Sequence, residues 1–221
     1  MVDFRLDEAP GPYAGTIELR IAGSITSSSV TPFADRLERL AAEGTRLILI
    51  GMKDIAHISS AALAELVSLA DRLERLGGGI ILAEVQPKTR LIIDTLGLGR
   101  IFEMSPSLDE GRTSLKTRAE RLAKAPRLIA LIDGQPGQDY PIVGPKLTVG
   151  SDLKCTIVLK HPQVEPVHAE VGIIGDRCVV KDLGSRYGCF IDGARLKGEM
   201  ILPPFGTLAI ASFRFTFARA R

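Results

Sequence analysis

The run RLILIGM, from Arg46 to Met52, constrains this chain more than any other stretch. After its first residue it offers no polar side chain to either side of a strand. Successive strand residues point to opposite faces, so such a run fits only where both faces are covered. That is the situation of a parallel sheet with helices packed on it. A second run of this kind, IILAEV, begins at Ile80. Between the two lies SSAALAELVSLADRLERLGGG, where Leu63, Leu66, Val67, Ala70 and Leu73 share one helical face. Asp71 and Arg75 form an i,i+4 pair, and Gly77 to Gly79 stop the helix.

Upstream, GTIELRIAGSI places Ile17, Leu19 and Ile21 at period two, the pattern of a strand. In SSSVTPFADRLERLAAEG the serines are fit to cap a helix, Pro32 suits its first turn, and Phe33, Leu37 and Leu40 form one stripe. PKTRLIIDTLGLGRIFEM predicts a short helix, a glycine turn and a closing strand. Strand and helix therefore alternate, which predicts an α/β layer with a mixed sheet. The hexapeptide DRLERL occurs at 35–40 and again at 71–76; it reads as common vocabulary for half-buried helices, with a duplicated helix–strand unit as the alternative.

SLDEGRTSLKTRAERLAKAP follows. Ser107 can cap it, Asp109 and Glu110 suit its positive end, and Arg121 and Lys124 suit its negative end. Leu108, Leu115 and Leu122 make one narrow apolar stripe. The stripe docks on the first domain or pairs with a second copy of the chain as a short coiled coil, giving a homodimer. After Arg127 the period changes to two. LIALIDG, KLTVG, CTIVL, HAEVGII, RCVVKDL and FRFTF are short strands broken by frequent turn signals, the grammar of an antiparallel β-sandwich. The expected division is 1–106 for the α/β domain, 107–126 for a helical linker and 127–221 for the sandwich.

Composition narrows the function. Formal net charge is only +2 and no lysine-rich block occurs, so nucleic acid is not the expected partner. Tryptophan is absent, which leaves little for base stacking. The longest apolar runs are strand-length, so no membrane span is expected. MVDFRLDEAP lacks the basic start and apolar core of a signal peptide. Three cysteines, Cys155, Cys178 and Cys189, are odd in number and fit free thiols in a reducing cytoplasm. Cysteines and histidines show no metal-ligand spacing, and no phosphate-binding glycine loop occurs, so neither metal nor cofactor is expected. Cys189 with His168 lacks an activating signature, so a non-enzymatic protein is expected.

In KDIAHISSAALAEL a buried strand ends and Ser59-Ser60 opens a helix. One serine should cap. A phosphate added at this positive helix end would be well tolerated by the fold, while its charge would repel a partner that binds the neutral surface. RLILIGMKDIAHI, the helix after it, GIILAEVQP and LIIDTLGLGRIFEM together resemble the STAS domain of anti-sigma factor antagonists, over residues 1 to about 110. The resemblance implies a partner serine kinase of the anti-sigma type and phosphorylation at this helix start. Ser60 matches the acceptor, with Ser59 as the fallback; Ser59 stands where the family has aspartate, Ala61 where it has a second serine, and Ala62 where it has glycine.

LTVGS, TIVL, VEPVHAEV, VVKDLGSRYGCFIDGARL and FRFTF, in that order, resemble a forkhead-associated (FHA) domain over roughly 128 to 221. The resemblance implies a phosphothreonine-binding sandwich with its ligand held by loops at one end. Residue by residue, the family's phosphate-binding arginine falls on Ser151, a phosphate-binding serine on Glu165, and its histidine on His168, whose implied role is to brace the loops. Ser185 and Gly188 match, while Tyr187 replaces an asparagine and Arg186 lies between. A serine hydroxyl cannot replace a bidentate guanidinium, and Glu165 adds an anion; two like charges ~4 Å apart cost on the order of 4 kcal/mol near a protein surface. Arg186, Lys154 and Lys160 are the nearby cations in sequence. These residues predict a partner-binding end at Ser151, Lys154, Glu165, His168, Ser185, Arg186, Tyr187 and Gly188 that does not require phosphothreonine. The chain as a whole reads as a signalling adaptor with two protein partners; the alternative is a structural scaffold in which neither domain switches.

Overall fold

The computed structural model describes residues 4–219, so the outermost residues of the expected domain limits lie outside the described residues. The described chain divides into two compact units, one formed in the main by residues up to Glu120 and one by those from Arg121 onward.

The first unit is a five-stranded sheet in the order β1-β2-β3-β4-β5: β1 (Phe4–Pro10), β2 (Thr16–Ile25), β3 (Leu47–Ile58), β4 (Gly79–Ala83) and β5 (Glu103–Ser105). β1 is antiparallel to β2, and every later pair is parallel. Helices α1 (Val30–Ala42), α2 (Ser60–Arg75) and α3 (Pro87–Thr95) connect the parallel strands in turn. Right-handed crossovers between successive neighbours put all of them on one face. That face holds Ile48, Ile50, Ile80 and Leu82 in one core with Phe33, Leu37, Leu40, Leu63, Leu66, Ala70 and Leu73. The period-two expectation for β2 and the helical stripes of α1 and α2 are thus met.

Leu47, Leu49 and Ile81 point the other way and are equally buried. α4 (Leu108–Lys124) covers them. A Cβ on Gly111 would lie 2.6 Å from Leu49 Cδ1, so helix and sheet meet there at backbone distance. Leu108 packs over Gly51, and Leu115 is buried. Arg112 holds Glu18 of β2 through two hydrogen bonds of 2.9 Å, and Arg118 bonds Glu103 of β5 at 3.2 Å. Ser107 caps the helix by accepting from the Glu110 amide at 3.2 Å, and its hydroxyl donates to the Glu110 carboxylate.

β1 is not legible in the amino-acid pattern. It is an exposed edge strand, rich in charge and ending in proline, features that edges carry to discourage further pairing. Its Glu8 pairs with Arg36 of α1; that hydrogen bond, working against burial, holds the Glu8 carboxyl below its usual range.

In the second unit, β8 (Lys146–Gly150), β9 (Ile157–Val158), β10 (Ala169–Ile174), β11 (Arg177–Asp182) and β14 (Glu199–Leu202) form one sheet in the order β14-β11-β10-β8-β9. β6 (Arg127–Ile132), β7 (Gln135–Pro141), β12 (Cys189–Ile191), β13 (Ala194–Arg195), β15 (Thr207–Ile210) and β16 (Phe213–Ala218) form the other, in the order β13-β12-β15-β16-β6-β7. Their inner faces share one core that includes Val149, Ile157, Val171, Val180, Leu208, Phe215 and Phe217. This is a two-sheet sandwich, antiparallel throughout except for the two-residue β9, which runs parallel to β8.

Gly111→Val should lower the unfolding free energy by about 1–3 kcal/mol, because the added methyls overpack a buried contact. Urea unfolding measures it; an unchanged midpoint would show that α4 is not seated on Leu49.

Candidate functional site

Two groups of exposed polar residues stand at loop ends, one in each unit. In the first unit the register of β2 on β3 carries the chain to the carboxyl edge of the sheet, where Ile25 pairs with Ile58. The Ser59 amide then donates to the Ile25 carbonyl at 2.8 Å, fixing the turn into α2. The two serines divide their roles. Ser59 is half-buried, and its Oγ accepts from the Ala62 amide at 3.3 Å, capping the helix. Ser60 is the first helical residue and is exposed. Thr26, Ser27 and Ser28 from the loop before α1 lie on the same edge, with His57 and Lys53 from β3. Gln86 ties the next loop to β3 by donating to the Lys53 carbonyl at 2.7 Å. Open α/β sheets place ligand-facing loops at this carboxyl edge. The serines before α1 do not cap it through a side chain: Ser29 instead accepts from the Thr26 amide at 2.9 Å and folds the loop on itself.

In the second unit three loops are braced at one end of the sandwich. The β8–β9 loop is zipped to the β9–β10 loop, with the Ser151 amide donating to the Glu165 carbonyl at 2.9 Å and the Asp152 amide to the Pro166 carbonyl at 3.1 Å. A Cβ on Gly150 would lie 2.1 Å from the Pro166 oxygen, so only glycine allows this approach. His168 is fully buried. Its Nδ1 accepts from the Glu165 amide at 3.1 Å, which leaves the proton on Nε2, facing the Gly188 carbonyl at 3.4 Å. One imidazole thereby links the second loop to the third.

The third loop turns around Asp182. Its carboxylate accepts from the amides of Gly184, Ser185 and Cys189 and from the Ser185 hydroxyl, at 2.7–2.9 Å. Ser185 Oγ in turn accepts from the Gly188 amide at 2.9 Å. Burial pushes the Asp182 carboxyl up, but the donors from Ser185 and Cys189 outweigh it and hold the carboxyl below its usual range. Sequence reasoning missed this hub, though the signal was present: Asp-Leu-Gly-Ser is an aspartate turn whose side chain satisfies the amides ahead of it. His168, Asp182 and Cys189 offer donor atoms within 4.8 Å of one another. Two of the three are already used: both imidazole nitrogens in loop braces, and the carboxylate by four donors. A metal ion would have to break these bonds.

A model of the STAS domain matches residues 11–111, and a model of the FHA domain matches residues 147–210. The chain is a STAS domain joined to an FHA domain. BtrV of Bordetella bronchiseptica, whose name carries the words anti-sigma factor antagonist, is 24% identical over 101 residues, covering 46% of this chain and 87% of that protein. The FHA domain of the CT664 protein of Chlamydia trachomatis is 22% identical, covers 43% of this chain and 98% of its own, and superposes with a TM-score of 0.40. The Slr1951 protein of Synechocystis covers 43% of this chain and 99% of its own at 19% identity, with a TM-score of 0.38. Both domain families are protein-interaction modules, so the chain has a role in protein interaction of the signalling-adaptor kind.

Within the FHA domain the sequence-singled residues separate into two groups. His168, Ser185 and Gly188 are internal braces, each committed to a hydrogen bond inside the loop end. Lys154, Arg186 and Tyr187 are exposed, and Ser151 and Glu165 are half-exposed. Arg186 lies over the Tyr187 ring at 5.7 Å. Arg195, which the sequence reading did not single out, lies against this end: a Cβ on Gly188 would be 2.8 Å from its Nε. Its signal in sequence was weak, because a hairpin must return it to the loop. Cys155, Cys178 and Cys189 are all free and buried, and burial pushes the Cys178 thiol up to about 12. No described helix is long and apolar enough to cross a membrane.

Asp182 binds its proton less readily folded than unfolded, so its stabilising contribution is present above about pH 4 and is lost as pH falls through the folded value. Asp182→Asn should cost about 1–3 kcal/mol at neutral pH and flatten the acid limb of the stability curve. Thermal melts between pH 3 and pH 7 read this; an unchanged acid limb would remove Asp182 from its role as hub.

Proposed function

We propose that the protein is a signalling adaptor of a reducing cytoplasm whose STAS domain binds a serine kinase of the anti-sigma type and is switched by phosphorylation of Ser60. The observation that carries this reading is the division of labour at the start of α2. Ser59 does the capping, so Ser60 Oγ owes the helix nothing and faces solvent. A phosphate there sits at the positive end of a helix of four turns, where an anion gains about 0.3–1 kcal/mol. It would carry roughly −1.5 to −2 charges on a surface that a partner otherwise meets neutral. Folding would be kept and binding lost, which is the behaviour a switch needs. The name of the BtrV relative supports the same reading. The FHA domain recruits a second protein through the loops around 150–154, 163–168 and 185–189, without requiring phosphothreonine. Support for this comes from Ser151 at the arginine position and from Glu165, whose carboxylate has no partner among the described residues.

Incubating the protein with ATP and an anti-sigma-type serine kinase should place one phosphate on the peptide containing Ser59 and Ser60, read by mass spectrometry. Ser60→Asp should keep the melting temperature and weaken kinase binding at least tenfold, about 1.4 kcal/mol. Ser59→Ala should lower stability by about 1 kcal/mol and leave Ser60 modifiable. An unmodified peptide, together with unchanged affinity of Ser60→Asp, would leave the scaffold reading in its place.

A further inference from the structure

Each of the three braced loops of the FHA domain projects a large apolar side chain into solvent: Leu153 at 69% exposure, Val167 at 46%, and in the third loop both Leu183 at 39% and Tyr187 at 42%. Loop tips seldom need such residues for folding. Here the backbone beneath them is fixed by the Ser151–Glu165, Asp152–Pro166 and His168–Gly188 bonds, so the side chains stand on a rigid base. A rigid base lowers the entropy lost on binding.

The charges beside them are not balanced internally. Lys154, Arg186 and Arg195 are exposed, and none of these side chains makes an ion pair among the described residues. The guanidinium of Arg195 lies against Gly188, and that of Arg186 lies over Tyr187, so two cations flank the third loop. Opposing them are Glu165, Asp152, which already accepts from the Lys154 amide at 2.8 Å, and Asp182, whose carboxylate is engaged by four donors of its own loop. Glu165 is half-buried, so its field is screened less than that of the exposed cations. Its repulsion grows with ligand charge. A phosphate of nearly two charges suffers about twice the penalty of a carboxylate, while Ser151 stands where the family resemblance places the bidentate arginine that would offset it.

The geometry points to an unphosphorylated acidic–apolar protein segment as the ligand of this end. Arg195 and Arg186 hold a carboxylate of that segment, and Leu153, Val167 and Tyr187 cover its apolar side chains. The inference rests on the phosphate-independent reading above and adds the ligand's chemistry, together with Arg195 as a specificity residue.

The test uses the full chain and three labelled pools of degenerate 12-residue peptides. One is built from Asp, Glu, Leu and Phe, one from Lys, Arg, Leu and Phe, and one carries a central phosphothreonine among neutral residues. The acidic–apolar pool should be retained best, and its retention should fall as salt rises. Arg195→Gln should weaken it at least tenfold, and so should the double change Leu153→Ser with Tyr187→Ser; all are exposed positions, so circular dichroism should be unchanged. Better retention of the basic or the phosphothreonine pool, retention of no pool, or indifference to Arg195→Gln would overturn the inference. A parallel capture from phosphatase-treated extract separates the two levels. If a partner survives that treatment while the acidic–apolar pool fails, the ligand chemistry alone is wrong. If phosphatase abolishes capture, the phosphate-independent reading fails with it.

Discussion

The two-sided burial of β3 is the constraint on which the first domain depends. Leu47, Ile48, Leu49 and Ile50 are all fully buried, and neighbouring residues face opposite ways. Fully burying a Leu or Ile side chain is worth about 1.5–3 kcal/mol, so leaving either face open would forfeit several such terms. Right-handed crossovers supply one cover automatically, through α1, α2 and α3. The other cover has to come from outside the alternation, and α4 provides it through Gly111, Leu115 and the Arg112–Glu18 clip. A helix that reads as a linker is therefore part of the wall of the domain. The same sheet fixes the candidate edge, because β3 ends where Ile58 pairs with Ile25, setting Ser59 at the helix cap and Ser60 in solvent.

In the FHA domain the loop end is held by side chains that differ in kind from those at its rim. The residues it shares with the family pattern, His168, Ser185 and Gly188, are those that tie loops together, with Asp182 at their centre. The residues that differ, Ser151, Glu165 and Tyr187, face outward or lie at the rim. Bracing residues are held by unsatisfied-group penalties of about 1–3 kcal/mol for each buried donor or acceptor left alone. Outward residues carry no such penalty and are free to follow the partner. Changes at the rim can therefore leave the backbone geometry of the loop end intact.

Legibility follows the same division. The core elements of both domains show in the pattern because burial acts on every second or every third to fourth residue. β1 was hidden because only Phe4 and Leu6 of its charged edge strand pack against the core, and β14 because it is short; β9 lies inside the expected strand CTIVL. The Ser59–Ser60 pair was visible as a helix start, but which hydroxyl caps and which stays free is a matter of a single turn of backbone. Arg195 was invisible as a neighbour of Gly188, since a hairpin between them sets that contact.

By itself the sequence determined the α/β unit and the sandwich after it. These rest on periodicity and on side-chain chemistry, which are local properties of the chain. Only the tertiary structure decided that α4 seals the second face of the sheet, that Ser60 is the free hydroxyl, that Asp182 anchors the third loop, and that Arg195 joins it. Each of these depends on a contact or a solvent exposure created when distant segments pack, and no local pattern of residues encodes where a side chain ends up once the backbone has turned.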